Sequence, residues 1–251
     1  MERFDPLALA RETLKEVSSG GRRKYYRFRS AKFYGGIATA DCVGCCLRCA
    51  FCWSWNIVTG PARAGAFHDA ADVAARLSRI AKKHHHRQLR ISGNEPTLAW
   101  DHLMDVLGHL GGERTFILET NGIMLGEDEA RAKDLSRLRP HVFARVSLKG
   151  CSEREFSMLT GAREEGFALQ LRALEHLARH GVEAQPAAMV SFSTPDTIAE
   201  LRRRLRAIHA PYADLEIEEV TLYPGIEERL RKRGLAWNAG HRPDAIPPEQ
   251  V

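Results

Sequence analysis

Short β-type runs alternate with amphipathic helical stretches along most of this 251-residue chain, and that alternation leaves few folds open. Strand candidates are Gly36–Ala40, Gln88–Ser92, Thr115–Glu119, Val142–Ser147, Glu183–Phe192 and Leu215–Leu222, each bounded by turn or charged residues. Helical patterns lie at Asp69–Lys83, Leu98–Leu110, Glu127–Leu138, Phe167–His180, Pro195–His209 and Ile226–Arg233. Thr194-Pro195 supplies an N-cap followed by a first-turn proline, and Gly181 stands where a helix stop belongs. Repeated strand–helix units predict an α/β fold with a parallel sheet and right-handed crossovers, and six of them suit an open, partial (β/α)6 barrel. With 44% hydrophobic residues the chain can bury one sizeable core, so a single catalytic domain is expected over residues 35–235. Residues 1–34 read as a leading helix and a basic segment, and 236–251, with three prolines, as a loose tail.

Five of the six cysteines fall within eleven residues, from Cys42 to Cys52, with Cys45, Cys46 and Cys49 between them. No uninterrupted apolar stretch approaches the length of a membrane span, and the start, Met1 to Pro6, lacks the apolar centre of a signal peptide. A cytoplasmic protein without membrane attachment is therefore expected, and in that reducing compartment a dense thiol loop points to a metal or catalytic centre rather than disulfides. Zinc ribbons pair two separated C-x2-C knuckles, whereas the one remaining cysteine, Cys151, stands alone. The bacterial ferredoxin run needs a cysteine at position 56 followed by proline, and Asn56 and Ile57 are there instead. Two three-thiolate registers remain: Cys45, Cys49 and Cys52, or Cys42, Cys46 and Cys49. Three thiolates can hold three irons of a 4Fe-4S cube and leave the fourth without a protein ligand, open to substrate.

The glycine-bearing and polar segments follow the strands in turn. After the first comes the cysteine loop, then Gly93-Asn94-Glu95-Pro96, Thr120-Asn121-Gly122, Lys149-Gly150, Ser193-Thr194 and Tyr223-Pro224-Gly225. In barrels of parallel strands the active site lies at the C-terminal face and draws residues from several strand ends, so these loops are expected to share one mouth.

The cysteine loop resembles that of the radical S-adenosylmethionine (radical SAM) superfamily, C-x3-C-x-aromatic-C. Only the register Cys45, Cys49, Cys52 places an aromatic residue, Phe51, before the last cysteine. On that resemblance Cys45, Cys49 and Cys52 would bind a 4Fe-4S cluster, and Cys42 and Cys46 would be small buried residues without a ligand role. Ser92-Gly93-Asn94-Glu95-Pro96 looks like the superfamily's GGEP motif, with Asn94 replacing the second glycine. Gly93, Asn94, Glu95 and Pro96 would thus hold the amino group of S-adenosylmethionine, Glu95 as a carboxylate facing an ammonium. Asn121 falls in a third-strand element common to small glycyl-radical-enzyme activating enzymes, the members closest in style. Ser147 and Lys149 match a fourth-strand segment that binds ribose and carboxylate; Ser147 stands where an acid is usual, and Lys149 would pair with the cofactor carboxylate. The glycine motif some members carry on the fifth strand is not evident in Ala187-Ala188-Met189-Val190.

The resemblance implies reductive cleavage of S-adenosylmethionine to a 5'-deoxyadenosyl radical that abstracts hydrogen from a substrate, with the electron coming from a separate flavodoxin- or ferredoxin-type donor. The substrate would be a protein, a glycyl-radical enzyme for example; the alternative is RNA or a nucleotide-like small molecule. The outside reading is a non-enzymatic iron-sulfur protein, which would have no use for Glu95 or Lys149. RNA draws its support from Arg22-Arg23-Lys24-Tyr25-Tyr26-Arg27-Phe28-Arg29, where cations interleave with aromatics, although a charged strand edge looks the same. His84-His85-His86 at a helix end reads as solvated histidine rather than a metal site, and Arg202-Arg203-Arg204 as a wet helix face. Trp53 and Trp55 would wall the pocket or pack the cysteine loop on the barrel. No catalytic residue is assigned.

Overall fold

The computed structural model describes residues 2–138 and 142–247; Met1 and positions 248–251 of the expected tail lie outside the described residues. Helix α1 (Pro6–Val17) is started by Asp5, whose carboxylate accepts the Leu7 N–H at 2.8 Å, with Pro6 in the first turn where no N–H is needed. The hairpin of β1 (Ser18–Ser19) and β2 (Arg22–Ala31) follows, and β3 (Ile37–Cys42) returns antiparallel to β2. After α2 (Trp55–Thr59), β4 (Ala66–His68) pairs with β2 on its other side. Strand–helix units then run through α3 (Ala70–His84), β5 (Gln88–Ser92), α4 (Trp100–Leu110), β6 (Thr115–Thr120), α5 (Ile123–Glu127) and α6 (Glu129–Ser136). They continue with β7 (Val142–Leu148), α7 (Glu153–Thr160), α8 (Glu165–Arg179), β8 (Ala184–Met189), α9 (Pro195–Ile208) and β9 (Glu216–Glu218). Strand β10 (Val220–Thr221), α10 (Ile226–Lys232) and β11 (Gly240–His241) complete the chain.

Strands β3, β5, β6, β7, β8 and β9 are parallel neighbours in that order, as the six strand–helix units predict. β1 and β9 end the strand path at opposite sides, so the barrel is open. Strand register sorts the residues onto two faces. One face carries Ala38, Ala40, Leu89, Ile91, Phe116, Leu118, Ala144 and Val146, all buried, and α3 and α8 pack against the strands. The other face carries Arg27, Arg29, Asp41, Arg90, Glu119, Arg145, Ser147, Glu216 and Glu218. A parallel sheet of a doubly wound protein is apolar on both faces. Here the face without helices is lined by ion pairs, Arg90–Glu119 at 2.8 Å and Arg145–Glu218 at 2.7 Å among them, as suits the inside of a barrel that holds a polar ligand.

Several elements depart from expectation. The basic segment is not a separate turn but β2, part of the same sheet as the barrel. Leu215–Leu222 does not stay one strand: after Glu218 the pairing changes, and Val220 and Thr221 pair with Gly240 and His241. That pairing, with Asn238 donating to Ser193 O at 2.9 Å, pins the expected loose tail as far as His241. The Glu127–Leu138 pattern begins instead at Glu129, because Asp128 caps a new helix through Ala130 N at 3.0 Å. Helix α7 was not expected: eight residues are too few to display a clear period, and Ser152 nucleates it by accepting the Glu155 N–H. The Thr194 N-cap is present and forms a capping box with Thr197.

Candidate active site

The chain from Val43 to Ser54 has no regular secondary structure, so bonds from other elements, backbone and side chain, must hold it. It begins at Cys42, the last residue of β3, which is fully buried with its thiol 3.5 Å from Arg23 Nη2. The same nitrogen donates to Val43 O at 3.2 Å and Glu95 O at 2.7 Å, so one buried guanidinium from β2 ties the start of the cysteine loop to the loop after β5. Asn94 fastens the two further: its Oδ1 accepts the Gly44 N–H at 2.8 Å and its Nδ2 donates to Ser54 Oγ at 2.8 Å. Asn94 thus does with a side chain what a second glycine could not. Gly93 is required for a different reason, since its φ is +95° and a Cβ would meet the Asp41 backbone at 2.9 Å.

Within the loop the five thiols divide. Cys45 and Cys52 are half-buried, Cys49 is 9% exposed, and Cys42 and Cys46 are fully buried. Cys46 points to Asn121, whose Nδ2 lies 3.4 Å from it and 3.6 Å from Cys45. The Cys46 thiol, turned toward Cys45, holds Cys45 below the usual thiol range and is itself pushed well up. Burial pushes Cys49 up, opposed by Lys149 and by Arg233, with Cys45 and Cys52 close enough to add to the rise. Cys45, Cys49 and Cys52 therefore lie in one another's field, whereas Cys42 faces Arg23. Among the described residues no three of His, Cys, Asp or Glu converge as the ligands of a single ion would. A cube places each thiolate on a separate iron, so such convergence is not what it requires.

The next loops adjoin this one. The Glu95 carboxylate, 2% exposed, is met by four neutral donors: Thr97 N–H at 3.2 Å, Thr97 Oγ1 and Thr120 Oγ1 at 2.7 Å each, and Asn121 N–H at 2.7 Å. Three of these reach Oε1 and one reaches Oε2, which keeps acceptor capacity. Among the described residues no lysine or arginine pairs with it. Phe51 stacks on Phe192 with ring centroids 6.0 Å apart.

The family model described as the Radical SAM superfamily matches residues 41–205, two thirds of the chain. The chain belongs to the radical SAM superfamily. No curated protein sequence matches it. Among solved structures it is similar to Streptococcus suis SuiB bound to precursor peptide SuiA, at 17% identity over 80% of this chain and 46% of that one, TM-score 0.58. It is also similar to anSMEcpe with bound AdoMet, at 20% identity over 70% and 49%, TM-score 0.53. A third likeness is to a spore photoproduct lyase mutant with bound AdoMet and dinucleoside spore photoproduct, at 13% identity over 86% and 64%, TM-score 0.60. The chain spans about half the length of the first two proteins. At these identities the likeness is one of fold. As a radical SAM enzyme the chain uses a 4Fe-4S cluster and S-adenosylmethionine, and the five thiols between Cys42 and Cys52 are enough to supply the three thiolates of a cluster with one open iron.

The remaining expected residues of this radical SAM enzyme sit on β7 and just past it. Lys149 Nζ donates to Ser147 Oγ, and Ser147 Oγ donates to Glu218 Oε2 at 2.8 Å. Burial works against ionising Glu218, but Arg145 and then Lys149 overcome it and hold its carboxyl at about 2. The acid absent from position 147 is thus present beside it, delivered from β9. Gln170 joins this region to Asn121, its Nε2 donating to Asn121 O at 2.5 Å and Ser147 O at 3.2 Å while its Oε1 accepts the Lys149 N–H at 3.1 Å. Ser54, Gln170 and Glu218 carry no site role in the sequence reading, and Arg23 enters it only as part of the basic stretch. Two left a signal: Gln170 interrupts the apolar stripe Phe167, Leu171, Leu174 of α8, and Glu216-Ile217-Glu218 alternates with period two, which puts both acids on one strand face. Several cations of the Arg22–Arg29 stretch are engaged by the fold: Arg27 and Arg29 both donate to Asp41 Oδ2, at 2.6 and 2.9 Å, and Lys24 donates to Pro61 O and Ala62 O, while Arg22 is exposed. His84, His85 and His86 form no group able to hold a metal ion among the described residues, and no helix is long and apolar enough to cross a membrane.

Proposed function

We propose that Cys45, Cys49 and Cys52 carry the cluster and that the enzyme removes a hydrogen atom from a protein or peptide segment, activation of a glycyl-radical enzyme being one such reaction. The observation that supports the ligand assignment is the division of the thiols: Cys42 is turned to Arg23 and Cys46 to Asn121, both fully buried, while Cys45 and Cys52 are half-buried and Cys49 lies in the field of both. When bound, the cluster and S-adenosylmethionine supply reductive cleavage of the sulfonium and a radical able to take hydrogen from carbon. This chain's own residues bind and aim. Glu95 suits the cofactor's ammonium because it is a buried carboxylate met only by neutral donors, with acceptor capacity left at Oε2. Gly93, Asn94, Pro96 and Asn121 shape the pocket around it, Phe51 with Phe192 gives an apolar wall, and Lys149 and Ser147 face the cofactor's carboxylate and ribose. Reduction would need an external flavodoxin- or ferredoxin-type donor.

A protein substrate is favoured over RNA because most cations of the basic stretch that suggested nucleic acid are engaged by the fold: Arg23 and Lys24 are buried, and Arg27 and Arg29 pair with Asp41, although Arg22 and Arg27 stay exposed. Two experiments test the proposal. Anaerobic reconstitution of Cys45→Ala, Cys49→Ala and Cys52→Ala should give protein without the 4Fe-4S signal, while Cys42→Ala, Cys46→Ala and Cys151→Ala retain it; loss in Cys42→Ala with retention in Cys52→Ala reverses the register. Reduced wild-type enzyme can then be supplied with deuterated protein or deuterated RNA fractions from cells grown in heavy water. Deuterium in 5'-deoxyadenosine with the protein fraction alone supports the reading, and deuterium with the RNA fraction alone overturns it.

A further inference from the structure

The cysteine loop is held from two sides. On one, helix α7 receives its backbone, Arg48 N–H on Thr160 O at 3.1 Å and Ala50 N–H on Leu159 O at 2.8 Å. On the other lies α10, beyond the part of the chain that the superfamily model matches. Ile226 and Leu230 of α10 are buried against Ala50 with Met189 and Val220. From the same helix Arg229 Nε donates to Ala50 O at 2.6 Å and Nη2 to Cys52 O at 2.7 Å. The Arg229 guanidinium lies 4.6 Å from the centroid of the Trp55 ring, and that of Arg233 5.3 Å from it. Arg233 Nη1 donates to Arg48 O at 3.0 Å, and Arg48 Nη1 in turn to Cys45 O at 2.8 Å. With Val43 O on Arg23 and Leu47 O on Arg48 Nη1, carbonyls of six loop residues, two of them cysteines, are thus taken by arginine side chains.

We infer that Arg229 is a positioning residue for the cluster: it fixes the backbone of Cys52 and Ala50 by a two-carbonyl clamp and places a fixed positive charge beside a ligand thiolate. The inference rests on the cluster assignment proposed above. A planar guanidinium can bridge two carbonyls at once, and stacking on Trp55 removes its freedom to swing away, which lysine could not reproduce. Because the clamp spans 177 residues of sequence to Cys52, the C-terminal helix completes the cluster site rather than merely covering it. Two effects should separate. The charge favours the state that has gained an electron, so removing it moves the reduction potential negative; the clamp favours the ligating backbone, so breaking it speeds loss of iron.

The test uses reconstituted full-length protein carrying Arg229→Met or Arg229→Lys, with potentials from titrations followed by electron paramagnetic resonance and iron release timed under chelator. Arg229→Met should lower the equilibrium constant for reduction about tenfold, a negative shift of about 59 mV for a one-electron couple, and release iron several-fold faster. Arg229→Lys should keep most of the potential yet release iron faster than wild type. Circular dichroism and thermal unfolding of the apo proteins show whether a variant folds; if Arg229→Met does not, Arg229→Lys carries the test through its release rate alone. Unchanged potential and release in Arg229→Met, or unchanged release in Arg229→Lys, overturns the clamp. Wild-type protein that takes up no cluster overturns the ligand assignment and the inference with it.

Discussion

Glu95 is a buried carboxylate and Glu218 a half-buried one at the mouth of the same barrel, and they are held in opposite ways. Glu95 is surrounded by threonine hydroxyls and backbone N–H groups, all neutral, whereas Glu218 sits against Arg145 and near Lys149. Neutral donors satisfy the lone pairs of a buried carboxylate but leave its charge uncancelled, while cations do both. The comparison separates a carboxylate that retains an appetite for an ammonium group from one whose charge is already matched within the fold. It also divides two residues that the sequence presents as a symmetrical pair, Glu95 for the cofactor's amino group and Lys149 for its carboxylate.

The largest effect expected from this difference is at Glu95. Glu95→Gln keeps the shape and loses the charge, and a charge-assisted hydrogen bond contributes about 1.5 to 3 kcal/mol. S-adenosylmethionine should therefore bind clustered Glu95→Gln protein roughly ten- to a hundredfold more weakly, by isothermal titration or by its effect on the cluster's spectrum. Glu218→Gln should change that affinity far less. Equal losses in the two variants would break the comparison, and a loss only in Glu218→Gln would reverse it.

What sequence could convey about these sites follows from how far each interaction reaches. The six parallel strands and their helices were legible because periods of two and near 3.6 are written in neighbouring residues. The order of the polar loops was legible too, since strand ends fix which residues meet at the mouth. The fate of individual groups was not. Glu95 is recognisable by type, but its partners Thr120 and Asn121 come from the next strand end, 25 and 26 residues on. Glu218 is 71 residues from Ser147, and Arg229 is 177 from Cys52. Spacing within the cysteine loop left two registers open; what distinguishes Cys42 is Arg23, a buried cation on a strand that the basic composition suggested was surface. Where a segment breaks, as at Asp128 or after Glu218, the cause is a capping carboxylate or a new partner strand.

A second, smaller effect should appear in acid. The Glu218 carboxyl is held down at about 2 against an ordinary value of 4.5, so its ionised form stabilises the fold. A depressed carboxyl contributes stability that is fully present above the unfolded value and lost as pH falls through the folded one. Glu218→Gln should then cost on the order of 1 to 2 kcal/mol at neutral pH, with Arg145 still paired to Glu216. Unfolding of wild-type and variant apo protein should differ by a constant amount from pH 8 to about 5 and converge as pH drops from 4.5 toward 2. A gap independent of pH across that window would show that the carboxyl is not held down, and the contrast with Glu95 would lose its physical basis.

The smallest effect concerns Lys149, and it decides how far the asymmetry reaches. Its ammonium donates to Ser147 and lies in the field of Glu218, so only part of its charge and two of its three donors remain for a cofactor carboxylate. Lys149→Met should weaken S-adenosylmethionine binding by roughly three- to tenfold, below the loss in Glu95→Gln, since tenfold corresponds to about 1.4 kcal/mol. Removing Glu218 frees that charge: in a Glu218→Gln background the same Lys149→Met substitution should cost more than it does in the wild type. Lys149→Met should also let the Glu218 carboxyl rise, moving the acid transition of the apo protein to higher pH. If Lys149→Met costs a hundredfold in either background and leaves the acid transition in place, Lys149 binds the cofactor with its full charge and the fold does not hold it in reserve.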